Sequence, residues 1–152
     1  MRRIEVSVTV DCRADPGIIF GLLKDGSTWP HWAMFDSFEL ERPGRNETYG
    51  VGAVRVFSTK VTRSREEVTE LVPDRRLAYV LLSGLPLRDY RAEVDLVQTS
   101  REATTIVWRA SFNPKYFGTG WFGRLFIKAV LATTAKQLAV ASERRRRLAK
   151  TI

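Results

Sequence analysis

The stretch that decides the fold is TTIVWRASF at residues 104–112, followed by the loop NPKYFGTG at 113–120 and by a long segment that begins near Trp121. Alternate residues of the first stretch are apolar, which predicts a strand with one buried face. The set expected to point inward is Ile106, Trp108, Ala110 and Phe112. A long helix that follows antiparallel strands must pack across them, and a curved sheet closed over one helix often leaves a pocket.

The segment after Trp121 has apolar residues at three- and four-residue spacing, which is typical of an amphipathic helix. The predicted buried stripe is Ile127, Leu131, Thr134, Leu138 and Ala141, widened by Val130 and Ala135. Lys128, Lys136 and Glu143 fall on the opposite side. The pattern therefore predicts one helix, running almost to the C-terminus, with one broad face to bury.

The earlier part of the chain predicts a strand at residues 4–12 and then two short helices. Asp15 and Pro16 are typical of a helix cap and a first-turn proline, and Asp25 and Gly26 end that helix before a helical turn within 27–32. Further strands are predicted at residues 35–41, 53–59, 63–71, 76–83 and 88–98. Short connections favour antiparallel neighbours. The expected fold is therefore α+β, with a seven-stranded sheet and one long C-terminal helix.

Size and composition indicate one domain over residues 1–152. The formal charge is +8, but the basic residues are spread along the chain, with one dense run at 144–147. We expect that run to be a solvated helix end rather than a nucleic-acid site. One cysteine excludes an intramolecular disulfide. With no apolar leader and no run of membrane-spanning length, a cytoplasmic protein is expected.

Several kinds of chemistry are excluded or disfavoured by simple counts. One His and one Cys cannot form a His/Cys zinc cluster, and no EF-hand spacing occurs. The sequence has no glycine-rich phosphate loop and no G-x-S-x-G motif. Metal sites built from carboxylates alone remain possible, but no motif for a metal or an organic cofactor is present and we expect neither. His31 is interpreted as a surface imidazole and Cys12 as a small core or edge residue, although a general base at His31 is conceivable.

Two charged residues on neighbouring strands, Arg55 and Glu66, are the main polar candidates. In the strand at 53–59, the set that contains Arg55 competes with Val54 and Val56 for the inward face, and Glu66 shares a face with Val68. If both charges point inward, they can form a ligand anchor or an acid/base pair. If they point outward, they form an ordinary ion pair on the exposed face. Both interpretations remain open at the level of sequence.

The aromatic residues add further candidates, because the chain contains four Trp, four Tyr and eight Phe. Tyr79, Tyr90 and Trp108 can supply hydroxyl and indole donors to an apolar wall, or they can be plain core. Tyr116 and Phe117, with Gly118 and Gly120 beside them, can form either a pocket lid or a packed entrance to the long helix.

The order of elements resembles the helix-grip fold of the START-like superfamily, also called SRPBCC, which includes polyketide cyclases and dehydrases and lipid-transfer domains. Four stretches carry the resemblance, namely WPHW at 29–32, GVGAVR at 50–55, the hairpin from Glu66 to Tyr79, and TTIVW at 104–108. The resemblance implies a hydrophobic cavity between the sheet and the C-terminal helix, and in most members no metal or organic cofactor. The side chains expected to line it are Trp32, Arg55, Phe57, Glu66, Tyr79, Tyr90, Trp108 and Phe112.

Three functions follow as hypotheses. The first is binding of a hydrophobic or aromatic small molecule, such as a lipid or polyketide, by a monomer or homodimer. The second is a polyketide cyclase or dehydratase in which Arg55, Glu66 or Tyr79 polarises a carbonyl or moves a proton. The third is a nucleic-acid or acidic-membrane binder that uses the basic helix end. Nucleic acid is the least expected partner, and membrane contact would be peripheral at most.

Overall fold

One antiparallel sheet wraps around one long helix in the computed structural model, which describes residues 3–116 and 118–151. In those residues the sheet has seven strands in the order β1-β7-β6-β5-β4-β3-β2. The strands are β1 Ile4–Cys12, β2 Ser37–Arg42, β3 Val54–Ser58, β4 Arg63–Val72, β5 Arg76–Ser83, β6 Leu87–Ser100 and β7 Ala103–Pro114. The helices are α1 Pro16–Lys24, α2 Trp29–Trp32 and α3 Gly120–Lys150, with a 3₁₀ turn at Gly26–Thr28. The predicted fold class is confirmed, and the predicted strand ends differ from the observed ones by at most two residues.

Helix α1 begins with the cap and the first-turn proline that its sequence predicts. The Asp15 carboxylate accepts a hydrogen bond of 3.1 Å from the Ile18 backbone N–H, and Pro16 occupies the first turn. This satisfies one of the amide groups that a helix start leaves without a partner. The chain therefore turns sharply from β1 into α1, and α1 lies against α3.

The inward faces of β6 and β7 agree with the alternation in their sequences. Tyr90, Ala92, Val94 and Leu96 of β6 are buried, and so are the four predicted residues of β7. These two long strands pair closely, while β1 pairs with the other edge of β7. Of these strands, β1 and β7 make the main contacts with α3.

Strand β3 shows no alternation of burial, because Val54, Arg55, Val56 and Phe57 are all buried. Arg55 and Phe57 share the inward face, so Val54 and Val56 point outward. Their cross-strand neighbours are long charged residues of β2 and β4, and the aliphatic stems of such residues can cover apolar surface. Burial on both faces explains why the sequence left the direction of this strand open.

The buried face of α3 differs from the predicted stripe at its edges. Ile127, Leu131, Thr134, Ala135 and Leu138 are buried as expected, together with Ala139 and Ser142. Val130 is instead exposed and Ala141 only half-buried. Among the described residues, α3 is the one helix long and apolar enough to cross a membrane, and 39% of its apolar stretch is buried in the protein.

Candidate functional site

The inward face of the sheet carries a buried ion pair between Arg55 and Glu66. The two residues are direct partners in the register of β3 and β4, and Arg55 Nη2 lies 2.5 Å from Glu66 Oε1. Arg55 is fully buried and Glu66 is 6% exposed. The interpretation of this pair as a feature of the exposed face is therefore wrong, because both side chains point toward the core.

Arg55 is held by groups from three elements. Its Nη1 donates a hydrogen bond of 2.8 Å to the Leu23 carbonyl, near the C-terminal end of α1, where helix carbonyls lack intrahelical partners and attract cations. Trp29 Nε1 donates to the same carbonyl at 3.1 Å. The guanidinium carbon lies 5.1 Å from the ring centroids of both Trp29 and Phe57, and these two rings stack at 4.6 Å. The arginine is thus fixed by packing as well as by charge.

One hydrogen-bond donor of this arginine, Nε, has no acceptor among the described residues. The Arg55 Nε atom is buried. A buried N–H without an acceptor is unfavourable, so such groups need an explanation in terms of structure or function. This donor belongs to the same inward-facing guanidinium that binds Glu66.

Two tyrosines continue the polar wall from Glu66 toward β7. The Tyr79 hydroxyl accepts a hydrogen bond of 3.3 Å from Trp108 Nε1, and the rings of Tyr79 and Tyr90 lie 6.4 Å apart. Tyr90 in turn stacks on Phe112 at 6.2 Å. Each of these four aromatic residues is at most 6% exposed. Side chains from β5, β6 and β7 thus form one continuous aromatic surface beside the ion pair.

Burial sets the protonation of this cluster. Removal from water raises the pKa of Glu66 above its ordinary value, and the contact with Arg55 offsets part of that rise. Burial also raises the pKa of both Tyr79 and Tyr90, so their hydroxyls stay neutral and can act as donors. A cation, a carboxyl group and two phenols on an otherwise apolar wall can bind a carbonyl, phenol or carboxylate group.

The space between sheet and helix is closed to solvent. Arg55, Phe57, Glu66, Tyr79, Tyr90, Trp108 and Phe112 are all less than a tenth exposed. Two open cavities lie elsewhere in the described part of the chain. One is on the outer face of the sheet, where Glu5, Arg91 and Arg109 line it. The other is a groove of about 580 Å³ between α2 and α3.

The remaining sequence candidates lie away from this wall. Trp32 is half-buried and lines the groove between α2 and α3 together with His31, which is exposed as expected. Cys12 is buried, and loss of water around it raises the pKa of its thiol to about 12. Tyr116 is exposed, while Phe117 lies outside the described residues.

The residue that sequence reasoning missed as part of the wall is Trp29. It is 3% exposed and contacts Phe57 as well as the guanidinium of Arg55. A signal was present, because Trp29 begins the WPHW stretch directly after the first helix. The basic run at 144–147 ends α3, and Arg146 binds Glu102 and the Arg13 carbonyl. Among the residues described, no group of three or more His, Cys, Asp or Glu side chains is arranged to hold a metal ion.

Comparison with known proteins gives the family. The family described as "polyketide cyclase / dehydrase and lipid transport" matches residues 1–150. The chain belongs to this family. No curated protein sequence matches the chain. Its membership agrees with the helix-grip topology and with the resemblance on which the sequence analysis relied.

Solved structures share the fold at low sequence identity. A Zhui aromatase/cyclase from Streptomyces sp. R1128 is 19% identical, with a TM-score of 0.75 over 97% of this chain and 98% of that one. A START superfamily protein from Mycobacterium smegmatis is 16% identical, with a TM-score of 0.72 over 93% and 95%. Norcoclaurine synthase from Thalictrum flavum, solved with dopamine and hydroxybenzaldehyde, is 14% identical, with a TM-score of 0.72 over 92% and 86%. These likenesses establish the START-like fold of this family member.

Proposed function

We propose that this protein binds a hydrophobic or aromatic small molecule with a polar end between the sheet and α3. The observation that carries the proposal is the buried pair of Arg55 and Glu66 beside the hydroxyls of Tyr79 and Tyr90. The apolar body of the ligand would lie against Phe112 and the inner face of α3. Its carbonyl, phenol or carboxylate group would accept hydrogen bonds from the polar wall.

The energetics of the ion pair support a role beyond stability. The free energy of hydration that two charges lose on burial is seldom exceeded by the free energy of their mutual attraction. Apolar residues of similar size often stabilise a protein equally well. The Arg55 Nε donor without an acceptor adds to this cost. A ligand oxygen that reached this donor would satisfy it.

Access requires movement, since the wall is closed to solvent. Beside Phe112, α3 covers the wall with a glycine and no side chain. Gly123 approaches the Phe112 ring and Leu87, and a Cβ on Gly123 would lie 3.2 Å from that ring. A shift of the first turns of α3 away from β7 would open the aromatic side of the wall. The ion pair lies deeper, under α1 and α2.

The test starts with native mass spectrometry of the protein purified from its host, followed by organic extraction of whatever is released. A bound lipid or aromatic compound supports the proposal and gives the chemical class. Binding of the fluorescent probe 1-anilinonaphthalene-8-sulfonate is then compared in Glu66→Gln and Glu67→Gln. Glu67 is the matched control, because it lies on the same strand with its side chain on the outer face, near Arg42. Weaker binding in Glu66→Gln alone supports the proposal, whereas equal binding in both variants contradicts it.

A second candidate is catalysis of the cyclase or dehydratase type, favoured by the raised pKa of Glu66. A carboxyl group that holds its proton above the ordinary range can donate it to a carbonyl oxygen, while Arg55 and Tyr79 stabilise the developing negative charge. Incubation of the extracted ligand with wild type and with Glu66→Gln distinguishes the two functions. Turnover lost in the variant supports catalysis, whereas unchanged ligand in both samples supports binding alone.

A further inference from the structure

The first three turns of α3 present large apolar side chains to solvent. We define the apolar patch as Tyr116, Trp121, Phe122, Leu125, Phe126 and Val130, whose side chains are 39–68% exposed. On the opposite side of the same turns, Ile127 and Leu131 are buried against the protein. This part of the helix is therefore apolar on two opposite sides, although only one of them has a partner in the structure. A contiguous exposed patch of this kind usually marks an interaction surface.

The patch is continuous around the helix. At 3.6 residues per turn, the positions of Trp121, Leu125, Phe122, Phe126 and Val130 follow one another over about half of the circumference. From Trp121 to Val130 the patch extends roughly 14 Å along the axis. Arg124 and Lys128 lie at one edge of this arc, next to Trp121. Aromatic residues on one face with basic residues at its border are typical of helices that lie in a membrane interface.

Along the chain, the charges around the patch are all of one sign, and in the fold Arg124 also donates a hydrogen bond to the backbone carbonyl of Glu5 on β1. No Asp or Glu occurs between Glu102 and Glu143, and this interval contains Arg109, Lys115, Arg124, Lys128 and Lys136. Among the described residues, Lys115, Arg124, Lys128 and Lys136 form no ion pair. An apolar surface bordered by cations without ion-pair partners is complementary to a layer of anionic headgroups above hydrocarbon.

The geometry of α3 fits a helix that lies on a bilayer rather than one that crosses it. Its buried face packs on β1, β7 and α1, and removal of that face from the core would expose the inside of the sheet. The patch also lies next to the aromatic wall, because a Cβ on Gly123 would lie 3.2 Å from the ring of Phe112, which stacks on Tyr90. A bilayer on the patch would therefore adjoin the side of the fold where an apolar molecule has the shortest path to the interior.

We propose that the apolar patch is a docking surface for bilayers that contain anionic lipids. Trp121, Phe122, Leu125 and Phe126 insert at the level of the headgroups and upper acyl chains, while Lys115, Arg124 and Lys128 contact lipid phosphates. This surface lies at the opposite end of α3 from the basic run at 144–147. The docking needs no ligand between the sheet and α3, so it can be tested independently of the proposed function.

The experiment is sedimentation of the purified protein with phosphatidylcholine vesicles, with and without phosphatidylglycerol. We expect binding to the vesicles that contain phosphatidylglycerol, and weaker binding as salt is added. The emission of Trp121, the most exposed of the four tryptophans, should shift to the blue on binding. Trp121→Phe removes this shift without changing the apolar character of the position.

Variants locate the contact. Each of Phe122→Ser and Phe126→Ser should lower the vesicle partition coefficient about tenfold, since each ring is about half exposed and half of a buried phenyl group's transfer free energy is lost. Lys128→Gln should lower it about fivefold at low salt. Val140→Ser is the matched control, because Val140 is 64% exposed on the same helix outside the patch, and it should bind as wild type does.

Three results would overturn the proposal. The first is no binding to phosphatidylglycerol vesicles at low salt. The second is binding that the combined Phe122→Ser and Phe126→Ser variant retains. The third is self-association in sedimentation velocity that this variant abolishes while vesicles remain unbound, which would identify a second copy of the chain as the occupant of the patch.

Discussion

Replacement of Arg55 by methionine is the most informative perturbation of the site. Methionine keeps an unbranched apolar stem but removes the cation from Glu66, which then stays buried without its partner. Removal of one member of a buried ion pair costs about 3–5 kcal/mol of unfolding free energy. The variant also loses the hydrogen bond to the Leu23 carbonyl and the contacts with Trp29 and Phe57. We therefore expect a loss near the upper end of that range.

The double variant separates the pair from its surroundings. Arg55→Met combined with Glu66→Leu replaces both charges by apolar groups, a change that is often neutral or stabilising. The double variant should lose less unfolding free energy than Arg55→Met alone. The double-mutant cycle completed by Glu66→Leu should give a coupling free energy of about 2 kcal/mol or more. The matched control is Arg65→Met, whose arginine pairs with Glu41 on the outer face and should lose only about 0–1 kcal/mol.

Urea unfolding followed by tryptophan fluorescence measures these differences, provided that the dependence of free energy on urea stays equal among variants. For a chain of this length, the Arg55→Met loss corresponds to a fall of roughly 6–20 °C in Tm. If Arg55→Met and Glu66→Leu each lose less than about 1 kcal/mol and their effects add, the pair is solvated. The reasoning about a closed interior would then be wrong.

The pH dependence gives a second check with a definite sign. Burial raises the pKa of Glu66 above the ordinary value of 4.5, and Arg55 lowers it again in part. A carboxyl group with a raised folded-state pKa contributes stability that is present below its unfolded pKa and lost as the pH rises through the folded pKa. Without Arg55, the pKa of Glu66 rises further. Arg55→Met should therefore lose less stability relative to wild type near pH 4.5 than at neutral pH, and a loss that grows on acidification would contradict this.

Three further predictions use the same unfolding assay or a thiol reagent. Cys12, whose pKa burial raises to about 12, should not react with Ellman's reagent at mildly alkaline pH until the chain unfolds, and rapid reaction of the native protein would contradict its burial. Asp15→Ala should lose about 1 kcal/mol with the cap of α1, and an unchanged stability would show that the cap contributes nothing. Gly84→Ala should lower the unfolding free energy by more than about 1 kcal/mol, since φ is +119° and the new Cβ would lie 2.5 Å from the Arg63 carbonyl oxygen. Gly21→Ala has open space in α1 and should raise it by about 0.5–1 kcal/mol. Similar effects of the two glycine substitutions would contradict this account.

Much of the fold could be predicted because its signals are local. The strands β6 and β7 are each covered on one face only, so polar and apolar residues alternate and the inward set can be read directly. Asp15 and Pro16 place the start of α1 for an equally local reason, since a cap acts within one turn of the helix. These features need no knowledge of the rest of the molecule.

The site was harder to predict, because the direction of its side chains depends on what covers each strand. Val54, Arg55, Val56 and Phe57 are all buried, so burial in β3 carries no alternating signal and the direction of Arg55 follows only from the pairing with Glu66. Trp32 was expected on the wall but lies in the groove beside α3, whereas Trp29 occupies the wall. The two tryptophans are three residues apart, and only the placement of α2 against β3 decides which of them points inward.

The sequence by itself determined the order of elements, the class of fold, the inward residues of the long strands and the buried face of the middle of α3. Only the tertiary structure decided that Arg55 and Glu66 meet inside, that the interior is closed, and that Val130 and the aromatic residues before it face solvent. The physical reason is that periodicity records the local geometry of a helix or strand. Whether an apolar side chain finds a partner depends on elements that are distant in the chain, and the first turns of α3 meet the sheet on one side only.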